Sequence, residues 1–243
     1  TNTDVELEPV IKMEVELDRG KSPLDVGQIL GMENRELAEY LLKFKGTAPL
    51  EDLEMRALAE AIRVATRANP QKFTEDFEPF LNIGYLYVAG ILEGLRDALT
   101  EGKPIDYEEV LDYIEKYMDC DEFWQDKFLV QSPMVVTHTR AINAFCFFIT
   151  ESLRSENPIP EKLFGKVEQI IHLILEKLEF KDISEEISDY VIHSPTTTLG
   201  RVIEAYIKFV LTVNRSSYGE KVPVKNRFVE EYEKLLRKEA AEA

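Results

Sequence analysis

Apolar residues return every three or four positions along most of this chain. In LEDLEMRALAEAIRVATRAN (50–69), Leu53, Ala57, Leu58, Ala61, Ile62 and Ala65 form one stripe, and Glu54, Arg56, Glu60, Arg63 and Arg67 fall off it. That spacing predicts an amphipathic helix. Pro49 precedes it and Asn69-Pro70 closes it, as helix punctuation does. NIGYLYVAGILEGLRDALTEGKP (82–104) reads as a second, more buried helix that stops at Gly102 and Pro104. Asp106 then suits the N-cap of YEEVLDYIEKYM, with Glu109 placed for a capping box. Ser132-Pro133 opens MVVTHTRAINAFCFFITESLRS, with Ser as cap and Pro at the first helical position. Pro160 starts EKLFGKVEQIIHLILEKLEF, which turns Val167, Ile170, Ile171, Ile174 and Leu178 inward. TTTLGRVIEAYIKFVLTVNRS is another buried helix, and NRFVEEYEKLLRKEAA a last surface helix edged by Phe228, Tyr232, Leu235 and Leu236.

Only residues 1–20 depart from this period. VIKMEVEL alternates apolar and charged residues as a strand does, yet no partner strand follows. Residues 1–20 are therefore expected to form an extended or short helical segment, and 21–243 a single domain. The fold class expected is all-α: an irregular helical-repeat array, or α-solenoid of stacked helical hairpins, with nine to eleven helices. Two stretches support stacking. FWQDKFLVQSPMVVTHTRAINAFCFFITESL and ISDYVIHSPTTTLGRVIEAYIKFVLTV each run through Ser-Pro or Ser-Pro-Thr into a long apolar helix.

Charge narrows the partners. The formal net charge is -17 over 243 residues, which repels nucleic acid and anionic membrane surfaces alike. The acidity is uneven: residues 1–60 carry -7, 61–130 carry -8 and 131–243 only -2. An anionic ligand thus fits best in the C-terminal half. The most apolar runs, NIGYLYVAGIL and AINAFCFFI, are about half of the ~20 residues that span a bilayer. Cys120 and Cys146 are too few for a disulfide framework and read as free thiols of a cytoplasmic protein. The chain begins at Thr1 and trails off in KEAAEA, so it reads as a piece of a larger protein.

The three histidines are the first places to look for chemistry. His172 lies four residues after Glu168 and four before Glu176, a spacing that also suits a metal; the stripe assigns all three to the wet face, as surface pairs. His138 falls on an apolar stripe and is expected to bond a backbone carbonyl. It stands about 12 Å along the helix from Cys146, too far for a base–nucleophile pair. His193 precedes Ser194, Thr196, Thr197 and Thr198. Hydroxyls and amides ahead of a helix can hold an anion, and the same residues serve equally as an N-cap. With Arg201 they form the candidate anion or partner contact: His193, Thr196, Thr197, Thr198 and Arg201. The chain contains no phosphate loop, Gly-x-Gly-x-x-Gly, His-Glu-x-x-His, Gly-x-Ser-x-Gly or Cys-x-x-Cys. No catalytic, metal or cofactor residue is assigned. Phe147 falls off the main stripe and marks contact with a neighbouring helix.

The order of LEDLEMRALAEAIRVATRANPQKF, YVAGILEGLRDALTEGKPIDYEEVLDYIEKY, FWQDKFLVQSPMVVTHTRAINAFCFFITESL and IHSPTTTLGRVIEAYIKFVL resembles the helical-repeat regions of large prokaryotic STAND-type NTPases and sirtuin-like proteins linked to antiviral defence. Ser194, Gly200, Glu204 and Ala205 match a segment that opens a buried helix there, with His193 where Asn is usual. The resemblance covers roughly residues 24–215. It implies a non-catalytic array that binds other domains of its parent protein, or a protein ligand, and carries over no functional residue. The function expected is thus a protein-interaction or scaffold domain with Tyr and Phe anchors and an acidic rim in its N-terminal half. The alternatives are an enzyme with an anion pocket near His193 and Arg201, and a nucleic-acid clamp through Arg201, Lys208, Arg215, Lys221, Lys225 and Arg227, which the net charge disfavours.

Overall fold

The structure is a computed structural model, described here for residues 21–46, 51–128, 136–178 and 197–215. Those residues are all-α, with no strand among them. The expectations for residues 1–20, for the loop at 181–188 and for the helix at 226–241 lie outside the described residues.

The helices are α1 (Val26–Gly31), α2 (Asn34–Lys43), α3 (Glu51–Ala68), α4 (Pro70–Thr74), α5 (Tyr85–Thr100), α6 (Tyr107–Met118), α7 (Asp121–Trp124), α8 (His138–Ser152), α9 (Phe164–Lys177) and α10 (Thr198–Val213). Short 3-10 turns at Glu78–Phe80 and Glu161–Leu163 precede α5 and α9. None is long and apolar enough to cross a membrane.

Neighbours follow a simple order. α3 packs on α5, α5 on α8 and α8 on α10, while α1 lies against α3. α4 touches α3 and α5, α6 packs on α9, and α9 on α10. Long helices thus lie side by side in one row, and the shorter α4, α6 and α9 fall alongside it. α5 sits inside this row, which is why residues from Tyr85 through Leu99 are buried almost all round it.

Two glycines decide how close α5 can come to α3. A Cβ on Gly90 would stand 2.8 Å from the Ala59 carbonyl oxygen. One on Gly94 would stand 2.5 Å from the Arg63 carbonyl oxygen and 2.6 Å from the Thr66 Cβ. Those atoms are mostly backbone, so they cannot step aside. Glycine four residues apart on one face lets the two backbones nearly touch.

Tyrosine hydroxyls hold the loops onto the helices. Tyr113 donates to the Phe80 carbonyl at 3.1 Å, Tyr117 to Ile83 at 2.8 Å, Tyr85 to Phe123 at 2.7 Å and Tyr107 to Asn157 at 2.7 Å. All four rings are buried. The Tyr113 ring also stacks on Phe77, with centroids 4.5 Å apart. Buried, each hydroxyl needs such an acceptor. With Tyr87 and Tyr206, these four tyrosines belong to the core.

Two boundaries differ from expectation. Asn69-Pro70 does not simply end α3, because the Asn69 side chain accepts from the Lys72 amide and caps α4 at once. The helix expected from Pro133 starts at His138, with Thr137 at its N-cap position making no side-chain cap bond. The carboxylate of Asp126 supplies the cap instead, accepting from the His138 amide at 2.8 Å. The start of α8 is thus capped from twelve residues upstream. Asp106 behaves as expected, accepting from the amides of Glu108 and Glu109.

Gly94→Ala is expected to lower the unfolding free energy by about 3 kcal/mol, the upper part of the usual range for overpacking. Gly31→Ala, where a Cβ would meet nothing within 4 Å, should be neutral or stabilising. Urea denaturation of both variants checks the pair.

Candidate functional site

At the start of α10 the threonines are committed to the protein. Thr197 is the N-cap, and its hydroxyl accepts from the Gly200 amide at 3.0 Å. The Thr198 hydroxyl accepts from the Asn143 amide nitrogen on α8 at 3.2 Å. Both threonines are buried, 2% and 1% exposed. His193 and Thr196 lie outside the described residues.

Arg201 takes a different course from its neighbours. Its guanidinium lies over the Phe147 ring, 4.4 Å from the centroid. Arg96 of α5 approaches the same ring at 5.8 Å. Phe147 therefore bridges α5, α8 and α10, as its place off the apolar stripe predicts. Cation–π contact of this kind is worth about 0.5–1 kcal/mol at a partly exposed site. Arg96 also bonds Asp97 at 2.8 Å, and Asp97 bonds Arg63 of α3 at 2.7 Å. An ionic and aromatic chain thus crosses all four long helices. Arg140 of α8 adds an ion pair to Glu93 of α5 at 2.7 Å.

His138 lies in the core, as its stripe predicts, and His172 sits in more protein than expected. His138 is 1% exposed. Its Nδ1 lies 2.7 Å from Asp126 Oδ1, and its ring packs against Phe123 and Trp124. The partner is a carboxylate rather than the expected carbonyl. Asp126 reaches it from a left-handed backbone, φ 55°, a conformation that Asp tolerates better than most residues. His172 Nε2 lies 3.1 Å from the Tyr206 hydroxyl and 3.8 Å from Glu168. Glu168 is only 4% exposed, so the wet face assigned to it is wrong. Tyr206 of α10 lies over His172, and of the three residues Glu176 is the exposed one. Among the described residues no group of three or more His, Cys, Asp or Glu could hold a metal.

One surface feature was not legible from the stripes. An open groove of about 640 Å³ runs between the end of α4, the start of α6 and the Glu161–Leu163 turn. Glu75, Asp106, Glu108 and Glu109 line it, with Tyr107 and Ile105 at its floor and Lys162 at its rim. Glu108 pairs with Lys162 at 2.8 Å. Among the described residues no cation stands within ion-pair distance of Glu75 or Glu109. A second, smaller groove of about 130 Å³ shares Glu75 and Glu109 and adds Asp76, Glu78 and Asp112. The acids come from two elements more than thirty residues apart in the chain, so neither run of sequence announces the groove.

Compared with family models, characterised proteins and solved structures, the chain matches none.

Cys146 is buried beside Arg201 and Glu204, and burial pushes its thiol up to about 12 against the opposing pull of Arg201. A thiol reacts as the thiolate. At pH 8 the native protein should therefore leave Cys146 unalkylated by iodoacetamide, while half-buried Cys120 is modified first. Both should react once the chain is unfolded in urea. Peptide mass mapping reads the difference, and fast native labelling of Cys146 would contradict its burial.

Proposed function

We propose that the chain is a non-catalytic protein-interaction module, and that it takes a Lys- or Arg-bearing segment of a partner along the acidic groove. The groove's uncompensated carboxylates, Glu75 and Glu109, support this reading. They sit in an open depression of about 640 Å³ rather than in a closed pocket. The net charge of -17 adds a long-range field that draws basic partners and repels polyanions. The floor offers Ile105 and the edge of Tyr107, against which the aliphatic stems of lysine or arginine can lie. Within a larger protein, as the resemblance to defence-associated helical regions suggests, the basic segment would belong to another domain or to a recruited protein.

Fluorescence anisotropy with a labelled octapeptide of alternating Lys and Leu tests the proposal. Binding should weaken steeply between 50 and 300 mM salt, since exposed charges are screened. Glu75→Lys combined with Glu109→Lys should weaken it about tenfold or more. The charge-matched pair Glu122→Lys and Glu176→Lys, exposed on α7 and α9 and outside the groove, should change it less than threefold. Equal losses from both pairs would mean that net charge alone attracts the peptide, and the groove assignment would fall.

A further inference from the structure

We infer that the exposed apolar edge of α10 is a self-association surface, on which a second copy of this chain lays its own α10 antiparallel to the first. The observation is an apolar stripe on a helix that is otherwise well packed. Ile207 is 41% exposed and Leu211 52%, and half-buried Ile203 continues the line one turn earlier. The other exposed large hydrophobics, Leu42 and Val64, stand singly on separate helices, which is ordinary for a surface. Three apolar residues at i, i+4 and i+8 form a ridge of the kind that packs between helices.

Its place in the row gives the stripe meaning. Thr198 and Arg201 face α8 through Asn143 and Phe147. Ile207 is nine residues from Thr198, about two and a half turns, so it stands on the opposite side of α10. The stripe is therefore where the next long helix of the row would lie. At the other end of the row, α3 is covered by α1.

Charge favours a second copy there. Glu204 and Lys208 run along one flank of the stripe and pair with each other at 2.6 Å. In an antiparallel pair related by a twofold axis at Ile207, Ile203 meets Leu211 of the second copy, and like flank meets like flank. Glu204 then falls within about 3 Å, along the axis, of Lys208 of the second copy. The internal ion pairs can exchange into two symmetric pairs across the interface, as an isologous contact requires.

Sedimentation equilibrium of the full chain at 10–300 μM should give a monomer–dimer equilibrium. Ile207→Lys should weaken dimerisation at least tenfold, with helicity and melting temperature unchanged, because the side chain is exposed in the monomer. Ile207→Cys, in a background with Cys120→Ser, should form a symmetric disulfide dimer under mild oxidation. Three results would overturn the proposal: a monomer throughout the range, a dimer indifferent to Ile207→Lys, or a lowered melting temperature for dilute Ile207→Lys, which would mean that the chain covers the stripe itself. Each is independent of peptide binding in the acidic groove, so failure of one proposal leaves the other standing.

Discussion

The row of long helices depends on how near α5 lies to α3. Gly90 and Gly94 bring the two backbones into contact, with no side chain of α5 between them. Everything that α5 presents to its other neighbours is registered from that contact. Its opposite side meets α8, and its carboxylates Glu93 and Asp97 reach arginines on α8 and α3. Add a methyl group at Gly94 and α5 must move outward, carrying those ion pairs and the Phe147 stack with it. Close packing makes such a shift costly, since interiors hold few voids to absorb it.

Polar groups then set the details that apolar burial leaves free. The four bonded tyrosine hydroxyls fix loop backbones to helices, and Asn34 does the same for α2, donating to the carbonyls of Lys72 and Asp76 at 2.8 and 3.0 Å. Lys72 returns the contact by donating to Asn34 and to the Met32 carbonyl, and burial lowers its ammonium pKa. A buried acceptor left without its donor costs about 1–3 kcal/mol, so these bonds discriminate against slipped arrangements that would bury the same apolar area. The ion pairs on the outer surface contribute less, since exposed pairs are screened and mobile.

The helices with strong stripes and local caps were legible in the sequence. α3, α5 and α6 follow from Leu58, Ile62, Leu92, Leu95 and Ile114 at helical spacing, and from Asp106 as a cap. Phe147 was legible as a contact because it broke its own helix's pattern. What could not be read came from pairs distant in the chain. Glu168 looks wet on a helical wheel, yet packing against distant parts of the chain buries it. The carbonyl expected for His138 turned out to be the Asp126 carboxylate, supplied by a turn whose left-handed backbone no periodicity signals. The acidic groove joins Glu75 to Glu109 by apposition of two helix ends. Tyr85, Tyr107, Tyr113 and Tyr117 are buried, and helix spacing alone does not say which face of an apolar helix becomes interior.

The cap on α8 has a consequence for the way this helix comes into being. Its first amide is satisfied by a carboxylate twelve residues upstream, so the place where the coil of α8 begins is a property of the assembled molecule. Cut out as a free peptide, residues 132–153 would lose Asp126 and fall back on Ser132-Pro133 as the nearest starting signal, winding from a point several residues earlier. The same stretch would thus have two beginnings, one written in its own letters and one imposed by its surroundings, and the folded protein obeys the second.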